Sequence, residues 1–263
     1  MPRVGGPADK LGNRFELTWA VLHALYCLTT DARITVESID EDLARGTEFA
    51  FRDEGVVHVH QVKRQLSGQY HWTIKALSKH DVWSTARHHV SQGRQYHFVS
   101  MVSFGELVEL TDRARESDDL ETFSELSLSE AHSALFKELS KVELLGRPDI
   151  AWTTLRGMHF EVHDEVQVAK MNQILAGQLL VGAPGRVTAL AIGDVLLSSM
   201  SRSLTGTKLI QALKPYDIVP LNAAARATVR QSISEHAARW KRTIDRELLN
   251  PVIERPETSE IIE

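Results

Sequence analysis

Residues 47–64 read TEFAFRDEGVVHVHQVKR. Two runs of aromatic and β-branched residues flank Asp53-Glu54-Gly55, a turn signal. The stretch therefore predicts a hairpin, with strands over 47–51 and 56–64. Side chains two apart on a strand share a face. Val57, Val59, Gln61 and Lys63 thus point one way, and His58, His60, Val62 and Arg64 the other. Lysine is almost never buried unless paired, so Lys63 at the end of a face that starts with two valines needs a partner. If the two strands pair with their faces aligned, Glu48 on the neighbouring strand can converge with Gln61 and Lys63.

Around this hairpin the pattern is that of an α/β protein. Leu11–Leu28 places Phe15, Trp19, Leu22 and Leu25 at helical spacing. Ile34–Ile39 reads as a strand ahead of the hairpin. Trp72–His89 reads as one helix begun near Thr73, and Tyr96–Ser103 as a further strand. The order helix, three strands, helix, strand fits a central sheet flanked by helices. Glu106–Leu145 is acidic and helical, with a polar interruption over Asp112–Asp119, and Met158–His163 reads as another strand. Helices are expected over Glu165–Leu180, Val187–Leu204, Thr207–Leu213 and Leu221–Leu249. The expected organisation is a core over residues 1–165 with an acidic helical insertion near 104–150. A helical segment over 166–250 and a linker over 251–263 follow, the linker leading toward a downstream domain.

Composition narrows the classes. The 263 residues carry 30 Lys+Arg against 35 Asp+Glu, a net charge of −5, and are 43% hydrophobic, enough apolar side chain for a core. Cys27 is the single cysteine, which excludes an internal disulfide and a four-cysteine zinc site. A reducing cytosol is the expected location, since residues 1–10 lack an apolar targeting stretch. The longest apolar stretch, Ile174–Leu197, is broken by Gly182, Pro184, Arg186 and Asp194, so no membrane span is expected.

The charge is unevenly spread. Residues 55–100 hold six Lys/Arg and seven histidines against the single acid Asp81; residues 104–149 hold twelve acids against five bases. A solvated surface explains such blocks. So does a surface facing a polyanion, with Arg64, Lys75, Lys79, Arg87 and Arg94 as phosphate contacts.

A carboxylate, an amide and an ammonium group brought together suit phosphodiester hydrolysis. Glu48 can bind Mg²⁺ or Mn²⁺, Gln61 offers a neutral carbonyl oxygen, and the Val62 carbonyl can add another. Lys63 can orient water and stabilise developing charge. Glu16 and Glu37 are second-rank carboxylate ligands. The bland reading is an edge-strand carboxylate and a lysine that snorkels to solvent. His58 and His60 share a face, which admits a zinc or manganese site, but packed or solvent-facing histidines are the preferred reading. His88 and His89 diverge on a helix and make a poor metal pair. Trp19, Trp72 and Trp83 are expected in the core. Gly182–Thr188 lacks the spacing and lysine of a phosphate loop, and no serine has an identifiable base.

Gly12, Phe15 and Glu16, then Glu48, then His60-Gln61-Val62-Lys63-Arg64, then Trp72-Thr73 resemble the PD-(D/E)xK restriction-endonuclease-like nucleases. The Gln61 form is similar to Mrr-like enzymes. The set most resembles the dsDNA-nuclease effector domain of bacterial anti-phage systems of the CBASS and NACHT/STAND-associated kind. The resemblance covers residues 5–103. It implies a restriction-endonuclease-like core, Mg²⁺- or Mn²⁺-dependent cleavage of double-stranded DNA, activation as a homo-oligomer, and a fused or partner NTPase or sensor domain. The rivals are a catalytically weak nucleic-acid-binding or oligomerisation module of a larger signalling ATPase, and an inert structural adaptor.

Overall fold

The structure is a computed structural model that describes residues 7–64, 71–142 and 145–221, with side chains from Arg14 onward. The chain divides into a unit Met1–Val219 and a unit Pro220–Glu263. The helix expected over 221–249 and the linker over 251–263 lie outside the described residues.

The first unit opens with helix α1 (Pro7–Cys27), strand β1 (Arg33–Val36) and a short α2 (Glu41–Ala44). The expected hairpin follows as β2 (Phe49–Asp53) and β3 (Val56–Lys63). Its two-residue loop has φ of 46° at Glu54 and 86° at Gly55. Two successive positive φ values are what a tight hairpin joining right-twisted strands demands, and Gly55 supplies one without strain.

The single helix expected over 72–89 is two: α3 (Ile74–Lys79) and α4 (Val82–Ser91). Thr73 caps α3 by accepting from Ala76 N. Asp81 then takes a left-handed φ of 55° and breaks the run. The corner is pinned by Trp83 Nε1, which donates to the Ile74 carbonyl at 3.1 Å. Leu77 and Trp83 both reach the core as a result.

Strand β4 (Gln95–Ser100) lies parallel to β3, and β5 (Met158–Val162) parallel to β4. Parallel neighbours need long crossovers. α3 and α4 make the first. The acidic stretch makes the second, as α5 (Leu107–Glu116), α6 (Leu120–Thr122) running into a π turn, α7 (Glu130–Leu139) and α8 (Pro148–Arg156). The polar interruption expected from Asp112 falls inside α5 up to Glu116, because Leu107, Leu110, Thr111 and Ala114 form one buried stripe across it.

The chain continues through α9 (Glu165–Leu179), β6 (Leu180–Val181), α10 (Gly185–Ser198), β7 (Leu204–Thr205) and α11 (Gly206–Leu213). Among the described residues the main sheet is β5-β4-β3-β2-β1-β7. The β1–β2, β2–β3 and β1–β7 pairs are antiparallel. The mixed, helix-flanked sheet is an α/β core.

Two cores lie on the two faces. Val59, Tyr96, Phe98 and Phe160 pack with Trp72, Trp83, Leu110 and Phe123 on one. Phe49, Phe51, Val62 and Val99 pack under α1, α9, α10 and α11 on the other. Trp19, Trp72 and Trp83 are all buried, as expected. Each such side chain contributes about 2–3 kcal/mol through burial. Among the described residues no helix is long and apolar enough to cross a membrane.

Candidate active site

Glu48 immediately precedes β2. Its backbone N–H donates to the His60 carbonyl at 2.9 Å, extending the β2–β3 ladder by one bond. The side chain then takes over where the strand stops. Glu48 Oε2 accepts from Val62 N at 2.8 Å, and Oε1 accepts from Lys63 Nζ at 2.8 Å. The carboxylate thus stands in for a missing strand acceptor and holds the lysine at once.

The pair sits in a partly dry setting. Burial pushes the Glu48 carboxyl up; the Lys63 ammonium and the Val62 N–H pull it back without cancelling the rise. Burial works against the Lys63 ammonium, but the Glu48 carboxylate, helped by Glu16, leaves its net displacement upward. Lys63 is therefore a fixed positive charge rather than a free base at neutral pH.

Glu48 faces a cleft of about 730 Å³ that Glu16 from α1 and Glu37 from the end of β1 also line. Glu37 is held by its backbone: its N–H donates to the Glu48 carbonyl at 3.0 Å, and its carbonyl accepts from Ser201 Oγ at 2.7 Å. Three carboxylates on one cleft are a hard oxygen donor set of the kind that suits Mg²⁺ or Mn²⁺, which need only one or two carboxylates plus water. The donor type suits such an ion, although the three carboxylates do not converge on one point and both Glu48 oxygens already accept, from Val62 N and Lys63 Nζ.

Gln61 shares the Lys63 side of β3, but its carbonyl oxygen is engaged: Oε1 accepts from Tyr96 Oη inside the sheet. Both residues are buried. Tyr96 stays a hydroxyl donor, since burial and the Glu48 charge push its pKa well above the ordinary value. Val62 offers Glu48 its N–H, and its side chain is buried in the core.

The basic residues divide. Arg64 lies 3.5 Å from Glu165, a buried carboxylate at the start of α9 that also pairs with Arg14 at 2.8 Å. Arg94 is turned onto Asp42 at 2.9 Å and onto His89 Nδ1 at 3.0 Å. Lys75 and Lys79 on α3 and Arg87 on α4 are exposed. His88 and His89 serve structure: His88 pairs with Asp42 at 2.9 Å, and His89 Nε2 donates to the Arg45 carbonyl at 2.9 Å.

Sequence reading missed Tyr96 as the partner of Gln61, and Glu165 as the carboxylate bridging two arginines. Strand alternation marks Tyr96 as inward-facing, but its pairing depends on the β3–β4 register, which no local pattern carries.

The geometry defines an α/β protein with a strand-end carboxylate–lysine pair opening on an acidic cleft. No protein-family model and no curated protein matches the chain. Among solved structures it is similar to a Cap4 SAVED/CARF-domain containing receptor of Moraxella osloensis, with 11% identity and a TM-score of 0.43 over 78% of this chain and 48% of that one. The corresponding receptor of Acinetobacter baumannii aligns at 12% identity and a TM-score of 0.46, covering 82% and 48%. Its structure with the cyclic trinucleotide 2′3′3′-cAAA gives 13% identity and a TM-score of 0.44 over 82% and 46%. The chain thus spans about half the length of these receptors.

Proposed function

We propose that this chain is a metal-dependent endonuclease of the PD-(D/E)xK type that cleaves double-stranded DNA, serving as the effector part of a bacterial anti-phage protein. The observation that carries the reading is the 2.8 Å contact between Lys63 Nζ and Glu48 Oε1 at a cleft shared with Glu16 and Glu37. The defence setting rests on the resemblance of the Phe15-Glu16, Glu48 and Gln61–Arg64 segments to effector nucleases.

Glu48, with Glu16 or Glu37, would hold Mg²⁺ or Mn²⁺. A bound ion of this kind polarises a phosphoryl oxygen and acidifies water. The chain's own groups do the rest. Lys63 places a permanent positive charge beside the scissile phosphate, where charge builds in the transition state. Glu48 orients that ammonium, and Val62 N–H fixes the carboxylate. Lys75, Lys79 and Arg87 are exposed and would contact the DNA backbone. Cutting both strands calls for two copies, so the active form is a homo-oligomer, organised by an NTPase or sensor domain.

Purified protein incubated with plasmid DNA and Mg²⁺ is the test. Wild type should nick or linearise the plasmid, and chelator should stop it. Lys63→Ala and Glu48→Gln should each lower cleavage by about 100-fold or more. Cleavage equal in wild type and Lys63→Ala overturns the reading.

The bond from Tyr96 to Gln61 favours a second reading, a catalytically weak nucleic-acid-binding module, because it occupies the amide oxygen a metal would use. Equal gel shifts by wild type and Lys63→Ala, with no cleavage under Mg²⁺ or Mn²⁺, would establish that reading instead.

A further inference from the structure

On the opposite face of the sheet a row of rings crosses four strands. Phe49, His60, His97 and His159 are successive register partners on β2, β3, β4 and β5. Their rings stack with centroid separations of 4.4, 4.5 and 4.4 Å. Glu161, two residues beyond His159, reaches into this row: Oε1 accepts from His97 Nδ1 at 2.6 Å, and Oε2 lies 3.3 Å from His163 Nε2. The second nitrogen of His97, Nε2, is 2.9 Å from His58 Nδ1.

One nitrogen is left over. His60 is 2% exposed, and its Nδ1 accepts from Trp19 Nε1 at 3.3 Å. Its Nε2 has no hydrogen-bond partner among the described residues. A buried, unsatisfied ring nitrogen is a feature that calls for an explanation. One ring nitrogen each from His60 and His97 and one Glu161 oxygen lie within 4.8 Å of one another.

We propose that His60, His97 and Glu161 form a binding site for a first-row transition-metal dication of the zinc class, with solvent as the fourth ligand.

The chemistry of the donors selects the class. Two imidazoles and a carboxylate with an open position are a familiar zinc set, whereas imidazole is a poor ligand for Mg²⁺. His163 grips the far oxygen of Glu161, and His58 abuts His97, so the ligands carry an outer ring of polar partners.

Loading needs the rings to turn as well as close, since His60 and His97 stack with planes 18° apart and the in-plane lone pairs of stacked rings do not converge on one ion. Ligand atoms up to 4.8 Å apart must draw in to about 3.3 Å around a tetrahedral ion with bonds near 2.0–2.1 Å. Glu161 and His163 are partly exposed and give the ion a way in. The His60 proton passes to Nδ1 as Nε2 takes the metal, giving up the 3.3 Å contact with Trp19, which is already long for such a bond, and the His97 proton passes from Nδ1 to Nε2, where it donates to His58 Nδ1, as Nδ1 exchanges its bond to Glu161 for the metal.

The test is a titration of the metal-stripped full chain with Zn²⁺ in competition with a chromophoric chelator. One Zn²⁺ per chain is expected. Affinity should fall by about 100-fold in Glu161→Gln and in His97→Phe, the latter keeping a ring in the stack while removing both nitrogens. Co²⁺ should give the visible absorption of a tetrahedral site in wild type and not in His97→Phe. Glu48→Gln should bind Zn²⁺ like wild type, separating this site from the Mg²⁺ cleft. Absence of Zn²⁺ binding, or binding unchanged in His97→Phe and Glu161→Gln as surface histidines would give, overturns the proposal.

Discussion

Tyr96 donates its hydroxyl to the Gln61 side-chain carbonyl within the sheet face that packs on α3, α4 and α5. Both residues are buried, so the bond satisfies two groups that would otherwise be stranded away from water. Tyr96→Phe should cost about 1–3 kcal/mol, and Gln61→Leu a similar amount. The double variant should cost clearly less than the sum, because it removes both polar groups together. Urea unfolding of the four proteins measures the coupling. Additive losses would show that the two residues do not satisfy each other.

The Lys63–Glu48 pair makes a second prediction, about stability rather than cleavage. Lys63→Met leaves the Glu48 carboxyl with burial still raising its pKa and without the ammonium that opposes it. A carboxyl whose folded pKa lies above its unfolded value stabilises fully at low pH, and that contribution is lost as pH rises through the folded pKa. The gap between wild type and Lys63→Met should therefore widen from pH 5 to pH 8. It should reach about 1–2 kcal/mol, above the roughly 0–1 kcal/mol of an exposed pair and below the roughly 3–5 kcal/mol of a broken buried one, since Lys63 is about a third exposed. Thermal melts at both pH values check this. A gap that narrows toward pH 8 would contradict it.

Much of this site was legible because it is local. The turn at Asp53–Gly55 fixes antiparallel neighbours, and period-2 alternation then puts Glu48 and Lys63 within reach. The ion pair at 2.8 Å follows from those two facts. What alternation cannot supply is the pairing of β3 with β4 and β5, whose partners are tens of residues distant in sequence. The Tyr96–Gln61 bond and the row His60–His97–His159 both depend on that parallel register. The break between α3 and α4 was hidden for another reason. Lys79-His80-Asp81 holds no glycine or proline, and the left-handed φ at Asp81 is set by packing of Leu77 and Trp83 on the sheet rather than by a local signal. The apolar stripe of α5 likewise outweighs the polar composition of Asp112–Glu116.

His89 is locked in one neutral form. Nε2 donates to the Arg45 carbonyl at 2.9 Å, which leaves Nδ1 to accept from Arg94 at 3.0 Å. A proton on Nδ1 would face a guanidinium. Burial first, then Arg94 and His88, drives its pKa down from 6.5 to about 4, against the pull of the Arg45 carbonyl and Asp42. Since the unfolded chain protonates first, the stability from this residue is complete above pH 6.5 and is lost as pH falls toward 4. The slope should be up to about 1.4 kcal/mol per pH unit. His23 and His159, lowered to about 4 and about 3 with burial as the leading cause, add to the fall in the same direction. His89→Gln should be less stable at pH 7 and show a flatter decline between pH 6.5 and 4. An unchanged slope would mean that His89 does not titrate on unfolding.

Gly206, the first residue of α11, is where that helix meets the end of α1. A Cβ built there would lie 2.1 Å from the Cys27 carbonyl oxygen and 2.9 Å from its carbon, both backbone atoms that no side-chain rotation can move. Gly206 directly follows Thr205, whose side chain caps α11 and whose backbone pairs with Arg33 of β1. The added methyl must therefore push α11 off α1 or strain the β1–β7 edge. Gly206→Ala should cost about 1–3 kcal/mol or more, at the strained end for added volume in a packed site. Gly55→Ala, with nothing within 4 Å but a φ of 86°, separates the two kinds of glycine demand, since its cost is purely conformational. Denaturation midpoints should fall for both. Only Gly206→Ala should also speed hydrogen exchange in the last turn of α1, because only there does the new atom displace that helix.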